Sequence, residues 1–345
     1  MLNGCMTALV TPFENGSLDL RGLDELLEFQ ISSGVSGVLA VGTTGESPTL
    51  TWEEHNLVIK RAAERARGRT LCVAGTGSNN TAETLEGTRE AVEHGAGAVL
   101  LVDPYYNGPS SLEIRREYVE PVARAFPGME VIPYVIPGRT GAKLLPQDLA
   151  VLARDFKNVT AVKEATGDLD NMRETRRLCG DGFSILSGDD ALTVTMMADP
   201  DIRAAGVISV MSNIAPQAMA KMVFAAAEGD MDTARAMESA LAPLFSLVTV
   251  TTEEDSPFGK VSCRARNPLP VKTLMAILGM PGGPCRRPLG KMTAAGVDRV
   301  LAAARQVWEN NPEILQPAAD HFGLDIQNRL YDPAVLEGLS YPSYA

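Results

Sequence analysis

The chain of 345 residues has few cysteines, little basic charge and no long apolar run, and each shortage excludes a class of protein. Its five cysteines are scattered without a Cys-x-x-Cys pair, which disfavours a disulfide framework and suits a reducing compartment. No apolar stretch approaches the length that spans a bilayer, and the amino terminus lacks the basic start and apolar core of a secretory signal. We therefore expect a cytoplasmic protein without a membrane partner.

Basic residues are outnumbered, and the net charge of −12 argues against nucleic acid as a partner. An acidic protein that binds anionic metabolites must concentrate positive groups locally, so individual arginines near a pocket are candidate binding residues. The three histidines, His55, His94 and His321, show no metal-ligand spacing, and we expect no metal. With 45% hydrophobic and 21% charged residues, the composition is that of an ordinary globular protein.

Short apolar runs, typical of buried strands, alternate with longer amphipathic ones, typical of helices. The predicted strands are Met6–Val10, Val35–Val41, Thr70–Ala74, Ala98–Val102, Val131–Tyr134, Val159–Lys163, Phe183–Ser187 and Gly206–Val210. The predicted helices are Leu20–Ser33, Thr51–Ala66, Thr81–His94, Ser111–Ala125, Leu145–Phe156, Leu169–Leu178, Ala191–Ala198 and Ala215–Glu228. Eight such units predict a (β/α)8 TIM barrel in the α/β class. A doubly wound sheet is the alternative, but no Gly-x-Gly-x-x-Gly follows the first strand.

The composition changes near residue 230, so we predict a barrel over 1–229 and a helical subdomain over 230–310. The subdomain contains the helical runs Met231–Val250 and Ala294–Asn310, joined by a Pro-, Gly- and Arg-rich segment, Thr251–Gly290. The pattern of residues 311–345 predicts no definite structure for this C-terminal extension, which either wraps a neighbouring subunit or is partly disordered.

The run Val159-Thr-Ala-Val-Lys163 places a lysine at the end of a buried strand. Burial disfavours the charged amine and lowers its pKa. A neutral lysine in a pocket condenses with ketones to form a Schiff base. The alternative is a lysine that pairs with Glu164 at the strand end.

Other polar groups also follow strand ends, where the active sites of such barrels lie. Gly42-Thr-Thr-Gly45 is either an anion-binding nest or an ordinary turn, and it lacks the Gly-Lys-Ser/Thr ending of a nucleotide loop. Tyr106 and Tyr134 are either proton carriers or packed aromatic residues. Arg139 is placed to capture a carboxylate, or else is a solvated loop residue.

Six segments together resemble the dihydrodipicolinate synthase branch of the N-acetylneuraminate lyase superfamily, in the family's order and over about the first 300 residues. They are Gly42-Thr-Thr-Gly-Glu-Ser47, Tyr105-Tyr-Asn107, Pro137-Gly-Arg-Thr-Gly141, Val162-Lys-Glu-Ala-Thr-Gly167, Ser187-Gly-Asp-Asp190 and Gly206-Val-Ile-Ser-Val210. The resemblance implies a lyase of the class I aldolase type. It would join pyruvate to L-aspartate 4-semialdehyde, giving 4-hydroxy-tetrahydrodipicolinate for lysine and diaminopimelate biosynthesis, without a cofactor.

The resemblance also implies roles for individual residues. Lys163 would form the Schiff base, Tyr134 would relay protons, and Thr44 would hydrogen-bond Tyr134 and connect it to Tyr106. In this family the Tyr106 side chain would reach into the site from a neighbouring subunit of a homotetramer. Thr43 and Thr44 would bind pyruvate, whereas Arg139 would hold the semialdehyde carboxylate and favours the synthase over the sialic-acid lyases. Gly188 and Ile208 would line the pyruvate pocket.

A second set of residues resembles the cleft in which the family binds lysine as an inhibitor. The set is Ser47, Trp52, His55, Asn79, Glu83 and Tyr105. Alternatively, Trp52 and His55 simply pack on one helix face.

The sequence departs from the family pattern in three places, and two other functions stay open. Val135-Ile136 replaces a residue pair that usually contains asparagine, Gly108 replaces a basic residue, and 251–268 is longer than the usual link. Another pyruvate-dependent aldolase, acting on a sugar acid or N-acetylneuraminate, is one alternative function. A non-catalytic, metabolite-binding member of the fold is the other.

Overall fold

Eight parallel strands form a closed barrel in the computed structural model, which describes residues 1–344. The strands are β1 (Gly4–Ala8), β2 (Gly37–Ala40), β3 (Leu71–Gly75), β4 (Ala98–Val102), β5 (Glu130–Val135), β6 (Ala161–Glu164), β7 (Ser184–Ser187) and β8 (Gly206–Ser209). Each strand pairs with its neighbour along the chain, and β8 closes on β1. The predicted fold class is confirmed.

The strands are apolar on both faces because each face packs against a different apolar layer. One face fills the barrel interior, where Met6, Leu100 and Ile132 are buried. The other face, with residues such as Val162, packs against the surrounding helices. The registers align β5, β6 and β7 so that Lys163 lies beside Tyr134 on one side and Leu186 on the other.

Eight helices alternate with the strands. They are α1 (Leu20–Ser32), α2 (Trp52–Ala66), α3 (Thr81–His94), α4 (111–125), α5 (Pro146–Asp155), α6 (Leu169–Cys179), α7 (Thr193–Ala198) and α8 (Pro216–Glu228). Thr51 begins α2 with a reciprocal capping box to Glu54, and Gly95 ends α3 in a left-handed conformation that glycine adopts without strain. A π-helical segment, Ile114–Val119, interrupts α4. Among residues 1–344, no helix is long and apolar enough to cross a membrane.

The segment after the barrel is not purely helical. Helix α9 covers Met231–Phe245 and ends earlier than predicted, because Val250 is buried in a strand instead. The segment 251–290 contains most of an antiparallel hairpin, β9 (Thr249–Ser256) with β10 (Gly259–Arg266), and helix α10 (Leu269–Leu278). Helix α11 (Ala294–Asn310) follows, as predicted.

The C-terminal extension folds back on its own chain through α12 (Gln316–Phe322) and α13 (Ile326–Tyr331). Ile326 and Leu330 are buried, and the Arg329 side chain donates to the carbonyls of Ala276 and Ile277 at the end of α10. In the part of the chain that the structure describes, the extension therefore has regular structure.

Candidate active site

Lys163 is the next-to-last residue of β6, and its side chain is almost completely buried in the barrel interior. A Cβ atom built on Gly188 would lie 3.2 Å from Lys163 Cε and 2.8 Å from Ala165 Cβ. Glycine at this position therefore leaves room for the lysine side chain.

Burial lowers the pKa of Lys163 to about 7, while the charge of Asp190 raises it and that of Arg139 lowers it further. A large fraction of the amine is consequently unprotonated near neutral pH. The alternative pairing with Glu164 is wrong. Glu164 accepts from the Thr166 backbone and from Asn171 instead, at 2.7 and 3.0 Å.

Tyr134 lies against the candidate nucleophile, with Lys163 Nζ 4.3 Å from the centre of its ring. Burial raises the pKa of Tyr134 to about 12, although the Arg139 charge and a hydrogen bond with Thr43 act in the opposite direction. The hydroxyl of Tyr134 therefore stays protonated and is available as a donor.

Thr44 has a hydrogen-bond partner that the sequence did not indicate. Its hydroxyl accepts a 2.9 Å hydrogen bond from Asn267 Nδ2, whereas Tyr134 pairs with Thr43. A hydroxyl that accepts one hydrogen bond can still donate another, so the expected hydrogen bond between Thr44 and Tyr134 stays a prediction. The loop of residues 41–46, which contains both threonines and is called the threonine loop below, has left-handed backbone at each end. The φ angles are 50° at Val41 and 56° at Glu46, which is uncommon for either residue type.

A buried ion pair between Glu46 and Lys272 joins the threonine loop to α10. Lys272 Nζ on α10 donates to Glu46 Oε1 at 2.8 Å, and also to the carbonyls of Thr11 and Pro284. The other carboxylate oxygen, Glu46 Oε2, accepts from the Arg286 backbone at 2.8 Å. The sequence alone did not indicate that Lys272 and Glu46 pair.

Arg139 lies on a short helical turn, Pro137–Thr140, beside the pocket. Its Nη2 donates to the Asn267 carbonyl at 2.9 Å, and burial lowers its pKa. Arg266, on the hairpin, donates to the Gly138 carbonyl at 3.1 Å, and its charge also lowers the pKa of Arg139. No sequence motif marked Arg266 as a site residue.

Asp190 is buried behind Lys163 and accepts from the backbone N–H groups of Val210 and Met211. Burial raises its pKa to about 6. Ile208, on the adjacent β8, is buried in the barrel interior. The structure thus brings Lys163, Tyr134 and Gly188 together, and Ile208 lies in the same barrel interior.

Tyr106 is the one predicted catalytic residue that this chain does not bring into its own site. Its side chain is 93% exposed, and its backbone φ of 83° lies in the left-handed region. The side chain therefore projects away from the barrel.

A cavity of about 400 Å³ extends from Thr43, Tyr134 and Arg139 toward the predicted inhibitor residues. Ser47, Trp52, His55, Glu83 and Tyr105 line it, and the remaining member, Asn79, accepts from the Tyr105 backbone at 2.8 Å. Trp52 and His55 do pack together, with ring centres 5.0 Å apart, while both line the cavity. Burial lowers the pKa of His55 to about 4, so this imidazole is neutral.

A (β/α)8 barrel with a buried, partly neutral lysine at the end of a strand has the architecture of a class I aldolase-type lyase. Residues 1–307 match the family model described as the dihydrodipicolinate synthetase family. The chain belongs to that family.

Relatives and solved structures support this assignment. The chain is 41% identical to a 4-hydroxy-tetrahydrodipicolinate synthase from Syntrophus aciditrophicus over 300 residues, covering 87% of this chain and 96% of that protein. A 4-hydroxy-tetrahydrodipicolinate synthase structure from Methylacidiphilum fumariolicum SolV superposes with a TM-score of 0.83 and 34% identity, covering 92% and 99% of the two chains. An enzyme from Cyanidioschyzon merolae, solved with lysine bound, superposes with a TM-score of 0.80 and 31% identity, covering 88% and 98%.

Proposed function

We propose that this chain condenses pyruvate with L-aspartate 4-semialdehyde to give 4-hydroxy-tetrahydrodipicolinate, as the names of its relatives indicate for those proteins. The observation that carries the proposal is the buried Lys163 amine, which lies against the ring of Tyr134, and Tyr134 and Arg139 both line the cavity. A cytoplasmic location agrees with the free cysteines.

The first half of the reaction activates pyruvate. The neutral Lys163 amine attacks the ketone carbon, water leaves, and the resulting iminium withdraws electrons from the neighbouring methyl group. Loss of a methyl proton then gives an enamine. We infer that Tyr134 passes these protons, because its ring lies against Lys163 and its hydroxyl stays protonated. Thr43, which lines the cavity, and the adjacent Thr44 would bind the pyruvate carboxylate.

The second half forms the ring. The enamine carbon attacks the aldehyde of the semialdehyde, and a carbon–carbon bond forms. The semialdehyde amine then attacks the iminium carbon, and release of Lys163 closes the heterocycle and regenerates the free enzyme. Arg139 holds the semialdehyde carboxylate, because a guanidinium binds a carboxylate through two parallel N–H groups. No step requires a metal or an organic cofactor.

Borohydride reduction in the presence of pyruvate, followed by mass spectrometry, tests the Schiff base. We expect a pyruvate-derived mass increase on Lys163 in the wild type and none in Lys163→Ala. An unlabelled wild type would overturn the proposal. Turnover with sugar-acid aldehydes but not with the semialdehyde would identify a different pyruvate aldolase.

We also infer that lysine inhibits by binding the part of the cavity lined by Trp52, Glu83 and Tyr105. The Glu83 carboxylate suits an ammonium group, and the half-exposed Trp52 covers an alkyl chain. The lysine-bound Cyanidioschyzon enzyme supports this inference. Saturating lysine should lower activity in the wild type and have little effect on Glu83→Gln. Unchanged wild-type activity would refute it.

A homotetramer, or at least a dimer, accounts for the exposed Tyr106, which would complete the site of a neighbouring subunit. Sedimentation should therefore detect an oligomer, and a wild-type monomer with full activity would contradict this assembly.

A further inference from the structure

The hairpin β9–β10 returns to the barrel mouth and places an arginine beside Arg139. Arg266, the last residue of β10, is half-buried, and its Nη1 donates to the Gly138 carbonyl at 3.1 Å. Asn267 follows directly and accepts from Arg139 Nη2 at 2.9 Å. The hairpin and the Arg139 turn therefore hold each other through two arginine-to-carbonyl hydrogen bonds.

These hydrogen bonds use one donor of each guanidinium and leave the others available, since a guanidinium carries five N–H donors. Within residues 1–344, neither Arg139 nor Arg266 forms an ion pair with a carboxylate, although the chain carries 43 acidic residues. Two unpaired guanidinium groups repel each other at the rim of a pocket. An anion bound between them would relieve that repulsion.

The charge of Arg266 also reaches into the pocket. It acts on the phenol of Tyr134, which lies against Lys163, as well as on Arg139. Arg264, two residues earlier on the same face of β10, is more exposed than Arg266 and lines a groove with the C-terminal residues Tyr341–Tyr344, although its charge also lowers the pKa of Arg139. Arg266 differs from Arg264 because it is half-buried, donates to the Arg139 turn and also acts on Tyr134.

We propose that Arg266 is a second binding residue for the carboxylate of the acceptor aldehyde, which it holds together with Arg139. This inference deepens the proposed function and rests on it. A carboxylate has lone pairs for two guanidinium groups, and the anionic acceptor would be drawn to the side of the pocket next to this pair. The hairpin then contributes directly to substrate specificity. It would favour aldehydes that carry a carboxylate over neutral aldehydes.

The test is the steady-state kinetics of Arg266→Gln with both substrates varied. We expect the KM for aspartate semialdehyde to rise about tenfold or more, the usual effect of losing a hydrogen bond to a charged group. The KM for pyruvate and the borohydride-trapped adduct on Lys163 should not change, because pyruvate is bound deeper. Lys260→Gln is the matched control, since it removes one positive charge from the same strand near the exposed tip, where Lys260 pairs with Asp255. It should leave both KM values unchanged.

A second measurement separates carboxylate binding from mere support of the Arg139 turn. Arg266→Gln is made in an Arg139→Gln background, and kcat/KM for the semialdehyde is compared with that of Arg139→Gln alone. A further fall of about tenfold supports direct binding by Arg266. No further fall, or an unchanged KM in the single variant, overturns the inference. A wild type that forms the pyruvate adduct but does not turn over the semialdehyde would instead overturn the proposed function.

Discussion

Lys163 reacts only when its amine has lost its proton, so its neighbours set the pH at which the enzyme works. Burial lowers the pKa to about 7, Asp190 raises it, and Arg139 lowers it. Adduct formation with pyruvate should therefore become faster as pH rises through about 7. Asp190→Asn should move this midpoint to lower pH and Arg139→Gln to higher pH. The rate of borohydride-trappable adduct formation, measured from about pH 6 to pH 9, checks both shifts.

Asparagine suits position 190 because its side-chain oxygen can still accept from Val210 and Met211. The second carboxylate oxygen, Asp190 Oδ1, is buried without a partner in the described structure, so its replacement by an amide breaks no bond there. Shifts of the same sign in both variants would show that these charges do not control Lys163.

Gly188 is predicted to be essential for reactivity. In Gly188→Ala the new Cβ would lie 2.8 Å from Ala165 Cβ and 3.2 Å from Lys163 Cε, so the lysine end of β6 must shift. Because reaction rates depend steeply on the position of the nucleophile, we expect pyruvate adduct formation to slow by about 100-fold or more. Gly182→Ala is the control, since a Cβ there meets nothing within 4 Å. Equal rates in the two variants would contradict this role for Gly188.

At the scale of elements, the ion pair between Glu46 and Lys272 joins the strained threonine loop to α10. Both side chains are essentially inaccessible to solvent, at 0% and 2% exposed. Lys272→Met would leave Glu46 as an uncompensated buried charge, which typically costs about 3–5 kcal/mol. We therefore expect the free energy of unfolding, measured with urea, to fall by about that amount.

Lys260→Met provides the comparison for this prediction, because its ion pairs with Glu253 and Asp255 are exposed on the hairpin. Exposed pairs contribute only about 0–1 kcal/mol, so this variant should unfold almost as the wild type does. Similar losses in the two variants would show that burial of the Lys272 pair is not what stabilises the loop.

The barrel was predictable because each of its strands is buried on both faces, which leaves a continuous apolar run such as Ala98–Val102. The hairpin was not predictable, because only one of its faces packs against the rest of the protein. Its other face carries exposed residues such as Thr249, Glu253 and Lys260. Helix α10 was hidden by neighbouring proline and glycine, and α12 and α13 are too short for a clear helical period.

The site was predictable to the extent that it depends on strand ends. Lys163, Tyr134 and Gly188 meet because the ends of parallel strands share one edge of the barrel. Contacts between distant segments, such as Asn267 with Thr44 across 223 positions, leave no local pattern to read. Arg266 was missed for the same reason, since it comes close to Arg139 only because the folded hairpin ends at the barrel mouth.

At the scale of the whole molecule, Tyr106 and Lys163 are predicted to serve one site only when they come from different subunits. Tyr106 is 93% exposed on its own chain, whereas Lys163 is buried. Tyr106→Phe and Lys163→Ala should each abolish most activity in homogeneous oligomers. A mixed pair, however, combines Lys163 of one subunit with Tyr106 of the other and so contains one complete site.

Mixing the two inactive variants should therefore restore activity. If subunits pair at random, half of the pairs are mixed and each has one complete site of two, which gives about a quarter of the wild-type activity. Dissociation at low concentration followed by mixing, with activity and subunit exchange followed together, makes the measurement. The Lys163→Ala, Tyr106→Phe double variant mixed with either single variant is the control, because such pairs contain no complete site. Exchange of subunits without recovery of activity would show that Tyr106 does not act across the interface.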